Sequence, residues 1–341
     1  MFDLLGDEYE LVVHGHDPRT GMRAIIAVHS TALGPALGGV RFHPYPSEEA
    51  ALKDVLRLAR GMSYKAAAAG LALGGGKAVL IGDPRQATTG QLLSFGRLVD
   101  TLGGRYITAA DVGVTVRDID IIASATPHVG GTSSGSGDPS PVTAVGVFHA
   151  VRAVLSETVG GDDLRRRHIA VQGLGKVGAA LVHLLAAAGA RLTVSDVDAS
   201  KVAAIASETG AAIVEPDEIL ATQCDVLAPC ALGPVFDDET VPLVRARGIA
   251  GGANNQLAHP RHGEQLHAMG VLYAPDYVAN AGGLINIEDE RYGYSRERAL
   301  AKAAAIGDRL RDVFTRARAD GTSPAAAAEA IALDRMAAAR C

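Results

Sequence analysis

The segment His168-Ile-Ala-Val-Gln-Gly173-Leu-Gly175-Lys-Val-Gly178 constrains the fold more than any other part of this chain. A short apolar run, then Gly-x-Gly-x-x-Gly, then Ala, Leu and Val at helical spacing reads as strand, tight turn and helix. Gly173 makes the turn, Gly175 lets the backbone approach a pyrophosphate, and Gly178 brings the helix against the sheet. The helix N-terminus adds partial positive charge. Alone the pattern is weak, because a glycine turn between strand and helix needs no ligand. Here the next apolar run ends in Thr193-Val-Ser-Asp196, 23 residues after Gly173, where a carboxylate meets ribose hydroxyls. Strand, glycines, helix and acid in this order favour a dinucleotide site, with Leu174, Lys176 and Val177 in the same turn. No Arg stands beside Asp196, so a 2′-phosphate would meet a carboxylate, and NAD is expected over NADP.

The alternation continues on both sides. Strands are expected at 168–172, 191–195, 212–214, 225–228 and 248–252, with helices at 176–188 and 199–209, the pattern of a parallel α/β domain. Upstream, strands at 10–14 and 22–30 flank the turn Asp17-Pro-Arg-Thr-Gly21. Ser47 caps a helix whose apolar positions are Ala51, Val55, Leu58 and Met62, and Ala78–Ile81 reads as a short buried strand. Gly130–Pro141, rich in Gly, Ser and Pro, marks the crossing between domains and a helix over 142–157 follows it. The chain is helical from about Ser295, and Ser323-Pro324 opens a last Ala-rich helix. A length of 341 residues, 48% of them apolar, suits two cores. The expected fold class is α/β in two domains separated by a cleft. Residues 1–134 form an α/β substrate, catalytic and oligomerisation domain, and residues 135–322 a Rossmann-type NAD-binding domain. The helix of about 323–341 packs back on the first.

Two lysines carry the chemical signal. Lys65 and Lys77 lie twelve residues apart in Met62-Ser-Tyr-Lys-Ala-Ala-Ala-Ala-Gly-Leu-Ala-Leu-Gly-Gly-Gly-Lys77, apolar and glycine-rich sequence in which an ammonium loses hydration. The glycine run is expected to let a substrate approach the backbone, with the pair holding a carboxylate beside proton chemistry. The bland reading is two surface lysines, at a helix end and a strand start. Gly74-Gly-Gly-Lys77 is no phosphate loop, since Leu71 stands where glycine is needed and Ala78 offers no hydroxyl. Asp111 follows the apolar pair Tyr106-Ile107 at an expected strand end, where a lone Asp is most often a cap. Ala253-Asn-Asn255-Gln and Asn280-Ala-Gly-Gly283 read as amide-bearing loops after strands, with turn chemistry as their plain alternative.

Other classes are disfavoured. A formal charge of −6 argues against nucleic acid. Cys224, Cys230 and Cys341 lack zinc-type spacing, eleven scattered histidines form no ligand set, and no Ser or Cys nucleophile with a positioned His is visible. No metal is expected. The acidic first ten residues lack an apolar leader, and no uninterrupted apolar stretch reaches the span of about 18 residues a membrane requires. The expectation is a cytoplasmic protein with no membrane partner.

Taken together, these residues resemble the amino-acid dehydrogenases of the glutamate/leucine/phenylalanine/valine group. The likeness runs through Gly34-Pro-Ala-Leu-Gly-Gly-Val-Arg41, Met62–Lys65, Leu73–Lys77, Asp111-Val-Gly113, Pro139-Ser-Pro-Val-Thr143 and Gly173–Gly178. It continues through Pro229-Cys-Ala-Leu-Gly233, Gly252-Ala-Asn-Asn-Gln256 and Ala274–Gly283, and so covers nearly the whole chain. It is nearest to the valine and leucine members. The resemblance implies that Lys65 and Asn255 hold the substrate α-carboxylate, that Lys77 activates the water attacking the imino carbon, and that Asp111 shuttles the proton. It implies further substrate contacts at Leu37, Gly38, Gly39, Ala109, Asn280, Leu284 and Ile287. Thr143, Asn254, Cys230 and Ala231 line the NAD site, Cys230 through its backbone position and not as a nucleophile. A homo-oligomer is implied too.

The substrate side chain follows from the same comparison. Glutamate-specific members carry Lys where Leu37 stands and Ser where Ile287 stands. A γ-carboxylate buried there would lose hydration without a partner, at a cost of several kcal/mol. Leu284 and Ile287 are bulkier than the valines of leucine-type members and shorten the pocket. Branched-chain aliphatic amino acids and their 2-oxo acids, with ammonia, are the expected substrates; phenylalanine or another apolar amino acid is the alternative. One methylene discriminates by only about 1–3 kcal/mol. Ala110 and Val114 depart from the family pattern beside Asp111. A reductase of imines or ketones without a carboxylate is opposed by Lys65 and Asn255, and a non-catalytic NAD-sensing protein by the intact Lys77, Asp111 and Asn255.

Overall fold

Residues 8–339 are described by a computed structural model, in which they divide between two units. The first is formed by the described residues of Met1–Asp138, Ile287–Ser295 and Ala332–Cys341, the second by Pro139–Asn286 and Arg296–Ile331.

The first unit is built on β1 (Leu11–Asp17), β2 (Met22–Ser30), β3 (Ala36–His43), α1 (Glu48–Ala68), β4 (Gly74–Ile81), α2 (Thr89–Asp100), β5 (Tyr106–Ala110) and α3 (Val116–Ala123). The sheet order is β1-β2-β4-β3-β5, with the hairpin β1–β2 antiparallel and β3, β4 and β5 mutually parallel. Strand alternation divides the apolar residues between two faces. Ile26, Val28, Val40, Phe42, Ala78 and Leu80 pack with Phe95, Val99, Ile119 and Ile122 of α2 and α3. Ile25, Ala27 and Val79 pack on the other face with Ala51, Val55 and Ala59 of α1. Helix α1 is N-capped by Ser47, as its sequence predicts.

Strand β4 corrects the sequence reading. It begins at Gly74 and not Ala78, so the glycine run lies inside the strand, between β2 and β3. A Cβ on Gly75 would stand 2.0 Å from the backbone nitrogen of Ser63 on α1. The glycine there serves close helix-on-sheet packing, and not the open approach to the backbone expected from sequence. Strand β3 itself, with its Gly38-Gly39 pair, was not apparent in the hydrophobic pattern.

The second unit contains α4 (Ser140–Val159), β6 (His168–Gln172), α5 (Lys176–Ala187), β7 (Arg191–Ser195), α6 (Ala199–Thr209), β8 (Ala212–Ile213), β9 (Val226–Pro229), β10 (Gly248–Ile249), α7 (Pro260–Ala268), β11 (Leu272–Tyr273) and α8 (Asp276–Ala279). Helix α9 (Gly282–Glu290) is assigned partly to each unit; α10 (Arg296–Ala304), α11 (Ile306–Asp320) and α12 (Pro324–Ala338) close the chain. The six strands are all parallel in the order β11-β10-β9-β6-β7-β8. The order reverses between β6 and β9, which is the topological switch point where doubly wound sheets bind ligands. Helix α4 alone among the described residues is long and apolar enough by composition to cross a membrane. It packs on α5, α10 and α11 with 56% of its apolar window buried, as a core helix does.

The segment Asn280–Gly283 is also corrected. It is no loop after a strand but the junction between α8 and α9, where a Cβ on Gly282 would lie 2.5 Å from Cα of Thr143. The first half of the Gly130–Pro141 segment is tied down within the first unit. Glu290 accepts from the backbone of Gly131 at 3.1 Å and of Ser136 at 2.6 Å, and Asp120 accepts from Ser133 at 2.9 Å.

Candidate active site

The alternation that sorts the first sheet also aims Lys77. It lies two residues before Val79 and therefore points to the α1 face, as do Leu37 and Arg41 from β3. Its side chain is 9% exposed, and its Nζ lies 2.9 Å from Oδ2 of Asp111. Asp111 sits in a tight turn just beyond β5, closed by the Val114 amide donating to its carbonyl at 3.0 Å. Gly39 makes room for it: a Cβ there would be 2.6 Å from the carbonyl oxygen of Ala110 and 2.9 Å from Cβ of Asp111. Burial pushes the Asp111 carboxyl upward, but the Lys77 ammonium, its hydrogen bond and the Arg41 guanidinium outweigh it and hold the group below the ordinary 3.8. The result is a fixed, ionised carboxylate in contact with a buried amine, a pair able to relay a proton.

Other predicted residues lie on several elements of this unit. Lys65 occupies the last turn of α1, as its position in the sequence implied. Leu37 is 2% exposed, Ala109 is buried opposite Gly39 in the β3–β5 register, and the carbonyl of Gly38 accepts from the Tyr106 hydroxyl at 2.6 Å. Ile287 is half-buried, and a Cβ on Gly130 would lie 2.3 Å from its Cγ2. Of the two departures, Val114 packs into the core and Ala110 is exposed.

Sequence reading missed two things here. Arg41 contacts Asp111 through Nε at 3.3 Å and Asp54 of α1 through Nη1 at 2.9 Å. The alternation that places Leu37 on the α1 face places Arg41 there too, so the signal was present. The C-terminus of α1 is finished by distant arginines: Arg335 donates to the carbonyls of Ala67 and Leu71 at 2.8 and 2.9 Å, and Arg291 to Ala72 at 2.8 Å. No local pattern announces those contacts.

The remaining predicted residues belong to the second unit. Gly173 has φ +90°, and a Cβ on it would lie 2.6 Å from the Ala231 nitrogen; one on Gly178 would lie 1.9 Å from the Gly173 carbonyl. Gly175, by contrast, faces open space and begins α5 with no side-chain cap. No side chain caps the first turn of α5, where the helix dipole favours an anion. Asp196 accepts from the amides of Leu174 at 2.6 Å and Asp198 at 2.8 Å, which brings its carboxylate to the glycine turn. Two buried side-chain oxygens at these strand ends, Gln172 Oε1 and Ser195 Oγ, have no hydrogen-bond partner. A helix N-terminus without a side-chain cap, an open glycine and an acid beside the glycine turn fit a dinucleotide. Cys230 follows β9 with its thiol pushed up to about 11 by burial, unlike a nucleophile.

Nearby, Asn280 donates to the carbonyls of Ala253 and the Asn254 side chain at 3.1 and 2.9 Å. Asn255 adopts φ +52°, a left-handed conformation that Asn tolerates. The amide of the next residue, Gln256, donates to Asp276 at 2.9 Å, and its carbonyl accepts from Val235 and Phe236. Thr143 in the first turn of α4 donates to the Pro139 carbonyl, and Leu284 is buried. Among the described residues no group of three or more His, Cys, Asp and Glu could hold a metal. Cys341 lies outside them.

Known proteins resemble this chain in sequence and fold. Residues 10–128 match the family described as Glu/Leu/Phe/Val dehydrogenase, dimerisation domain, and residues 134–211 and 194–340 match Glutamate/Leucine/Phenylalanine/Valine dehydrogenase. A leucine dehydrogenase of Geobacillus stearothermophilus is 50% identical over 96% of this chain and 91% of its own length. A valine dehydrogenase of Streptomyces albus is 48% identical over 97% and 93% respectively. The crystal structure of L-tryptophan dehydrogenase from Nostoc punctiforme superposes with a TM-score of 0.92 at 42% identity, covering 100% of this chain and 99% of that one. Joined to the buried amine–carboxylate pair and the nucleotide-binding sheet, these likenesses make the chain a member of the Glu/Leu/Phe/Val dehydrogenase family and an amino-acid dehydrogenase.

Proposed function

We propose that this protein catalyses the reversible, NAD-dependent oxidative deamination of branched-chain aliphatic L-amino acids to 2-oxo acids and ammonia. The observation that carries the proposal is the Lys77–Asp111 contact of 2.9 Å on a buried sheet face. Lys65 and Asn255 hold the α-carboxylate. When bound, NAD supplies the acceptor for the hydride leaving the α-carbon. Water then attacks the imino carbon while Lys77, as free amine, takes its proton; that proton passes through the Asp111 carboxylate to the amino nitrogen, which departs as ammonia as the hydroxyl gives up its own proton and the 2-oxo acid forms. The turn from Gly173 to Gly178, with Leu174, Lys176 and Val177, cradles the pyrophosphate, and Thr143, Cys230, Ala231 and Asn254 border the cofactor. Asp196 receives the ribose and opposes the 2′-phosphate of NADP.

Leu37 supports an aliphatic substrate. It is 2% exposed on the face that carries Lys77, so a γ-carboxylate reaching it would meet hydrocarbon at a cost of several kcal/mol. Asn280, Leu284 and Ile287 complete the substrate contacts with Gly38, Gly39 and Ala109. The likeness to a tryptophan dehydrogenase favours an aromatic amino acid as the second reading. We further propose that residues 1–134 oligomerise, in keeping with the dimerisation-domain match, that residues 135–322 bind NAD, and that the enzyme works in the cytoplasm.

The test is NADH formation at alkaline pH across a panel of L-amino acids, with NADP as alternative cofactor and Lys77→Ala as control. Fastest turnover of valine, leucine or isoleucine with NAD, and loss of at least about 100-fold in the variant, is expected. Parental rates in Lys77→Ala would refute the mechanism, and best activity on glutamate would refute the substrate argument.

A further inference from the structure

Asp111 is faced by more than its amine partner. Lys77 from β4 and Arg41 from β3 meet the same oxygen, Oδ2, at 2.9 and 3.3 Å, and the Val112 backbone adds a hydrogen bond. Behind Arg41 stands a second carboxylate. Asp54 takes Nη1 of Arg41 at 2.9 Å and the Tyr45 hydroxyl at 2.7 Å on Oδ2, and Arg57 at 2.9 Å on Oδ1. Both oxygens of Asp54 are thereby occupied. Asp54 serves to fix something else, and that is the guanidinium plane.

We propose that Arg41 is a positioning residue of the reaction: pinned by Asp54, it holds the Asp111 carboxylate ionised and turned toward Lys77. A guanidinium is planar and always charged, and its fork can engage two carboxylates at once. With one arm held on Asp54, its Nε presents a fixed donor to Asp111. When the Lys77 proton moves during turnover, Asp111 keeps a counter-cation and is not driven to take that proton up and hold it. Lysine at this position would supply the charge but, as a point donor on a flexible stem, not the two-carboxylate bridge. The kinetic part of this inference rests on the dehydrogenase reading; the placement of Asp111 does not.

The experiment therefore has two readouts, the ¹³C-carboxyl titration of Asp111 and the pH dependence of kcat and KM. Each is followed in the parent, Arg41→Gln, Arg41→Lys and Asp54→Asn. In Arg41→Gln the Asp111 titration moves to higher pH, and kcat falls on the order of 10- to 100-fold, with a smaller change in KM. Arg41→Lys returns the titration toward the parent's yet leaves kcat low. Asp54→Asn removes no group that touches Asp111 and weakens only the far hold on Arg41, which guards against misfolding. It lowers kcat without moving the titration upward. An Arg41→Gln titration superposing on the parent's, or Asp54→Asn with parental kcat, overturns the proposal. If the titration moves while the parent oxidises no L-amino acid, the positioning stands and the dehydrogenase reading falls.

Discussion

Replacing Gly75 by alanine tests whether the glycine run serves packing or substrate approach. An ideal Cβ at this position stands 2.0 Å from the Ser63 nitrogen and 2.3 Å from its Oγ, where ordinary contact begins at 3.4 Å. Helix α1 must then retreat by 3.4 − 2.0 = 1.4 Å, or β4 must sink by as much between β2 and β3. The obstacle is helix backbone, which no rotamer change relieves. Overpacking a core by a methyl costs about 1–3 kcal/mol, and a backbone obstacle belongs at the upper end. For a unit of this size each kcal/mol lowers Tm by about 2–4 °C, so a fall of about 6–12 °C is expected. Lys65 lies two residues beyond Ser63 on the same helix and moves with it. A displacement of about an ångström in a substrate-positioning group can lower kcat/KM on the order of 100-fold.

The assay is a thermal melt beside kcat/KM for the preferred amino acid, with Gly61→Ala as control. Gly61 lies on α1 with nothing within 4 Å of its ideal Cβ, so alanine there stabilises the helix by about 0.8–1 kcal/mol. Gly75→Ala with the parent's Tm but lost activity would restore the substrate-approach reading. Parental values of both would refute the packing argument outright.

Two further outcomes are expected. Because the folded Asp111 carboxyl lies below its ordinary 3.8, its contribution to stability is fully present above that value and is lost as pH falls through the folded one. The Tm gap between parent and Asp111→Asn should be constant above about pH 5 and close below pH 4; a gap that widens with acid contradicts this. Burial raises the thiols of Cys224 and Cys230 to about 12 and about 11, so peptide-mapped alkylation at pH 8 should find both far slower than free cysteine. Rapid labelling of Cys230 in the folded protein would contradict its reading as a backbone-position residue.

Much of the second unit was legible because its signals are local. A strand, a Gly-x-Gly-x-x-Gly turn and a helix lie within twenty residues, and steric need writes Gly173 and Gly178 into the chain. The first unit was harder to read. Gly38 and Gly39 break the hydrophobic alternation of β3, and the start of β4 is hidden by glycines that only the closeness of α1 explains. The Lys77–Asp111 pair was foreseen as two separate residues, but the contact depends on which sheet face each occupies. The Arg41–Asp54 bridge and the α1 carbonyls met by Arg335 join residues that no spacing rule connects. Asn280–Gly283 was misread because small residues that suit a turn also suit a helix junction pressed against α4.

The capping of α1 from afar bears on how the protein is made. Ala67 leaves the ribosome 268 residues before Arg335, its hydrogen-bond partner. At about 5–20 residues per second, that interval is roughly 15–50 s. During it the helix bearing Lys65 has its apolar face to bury but lacks the arginines that complete its end. The nascent chain thus owns both lysines long before it can fix one of them, and a chain that stops short of Arg335 would carry Lys65 on a helix whose end is unfinished.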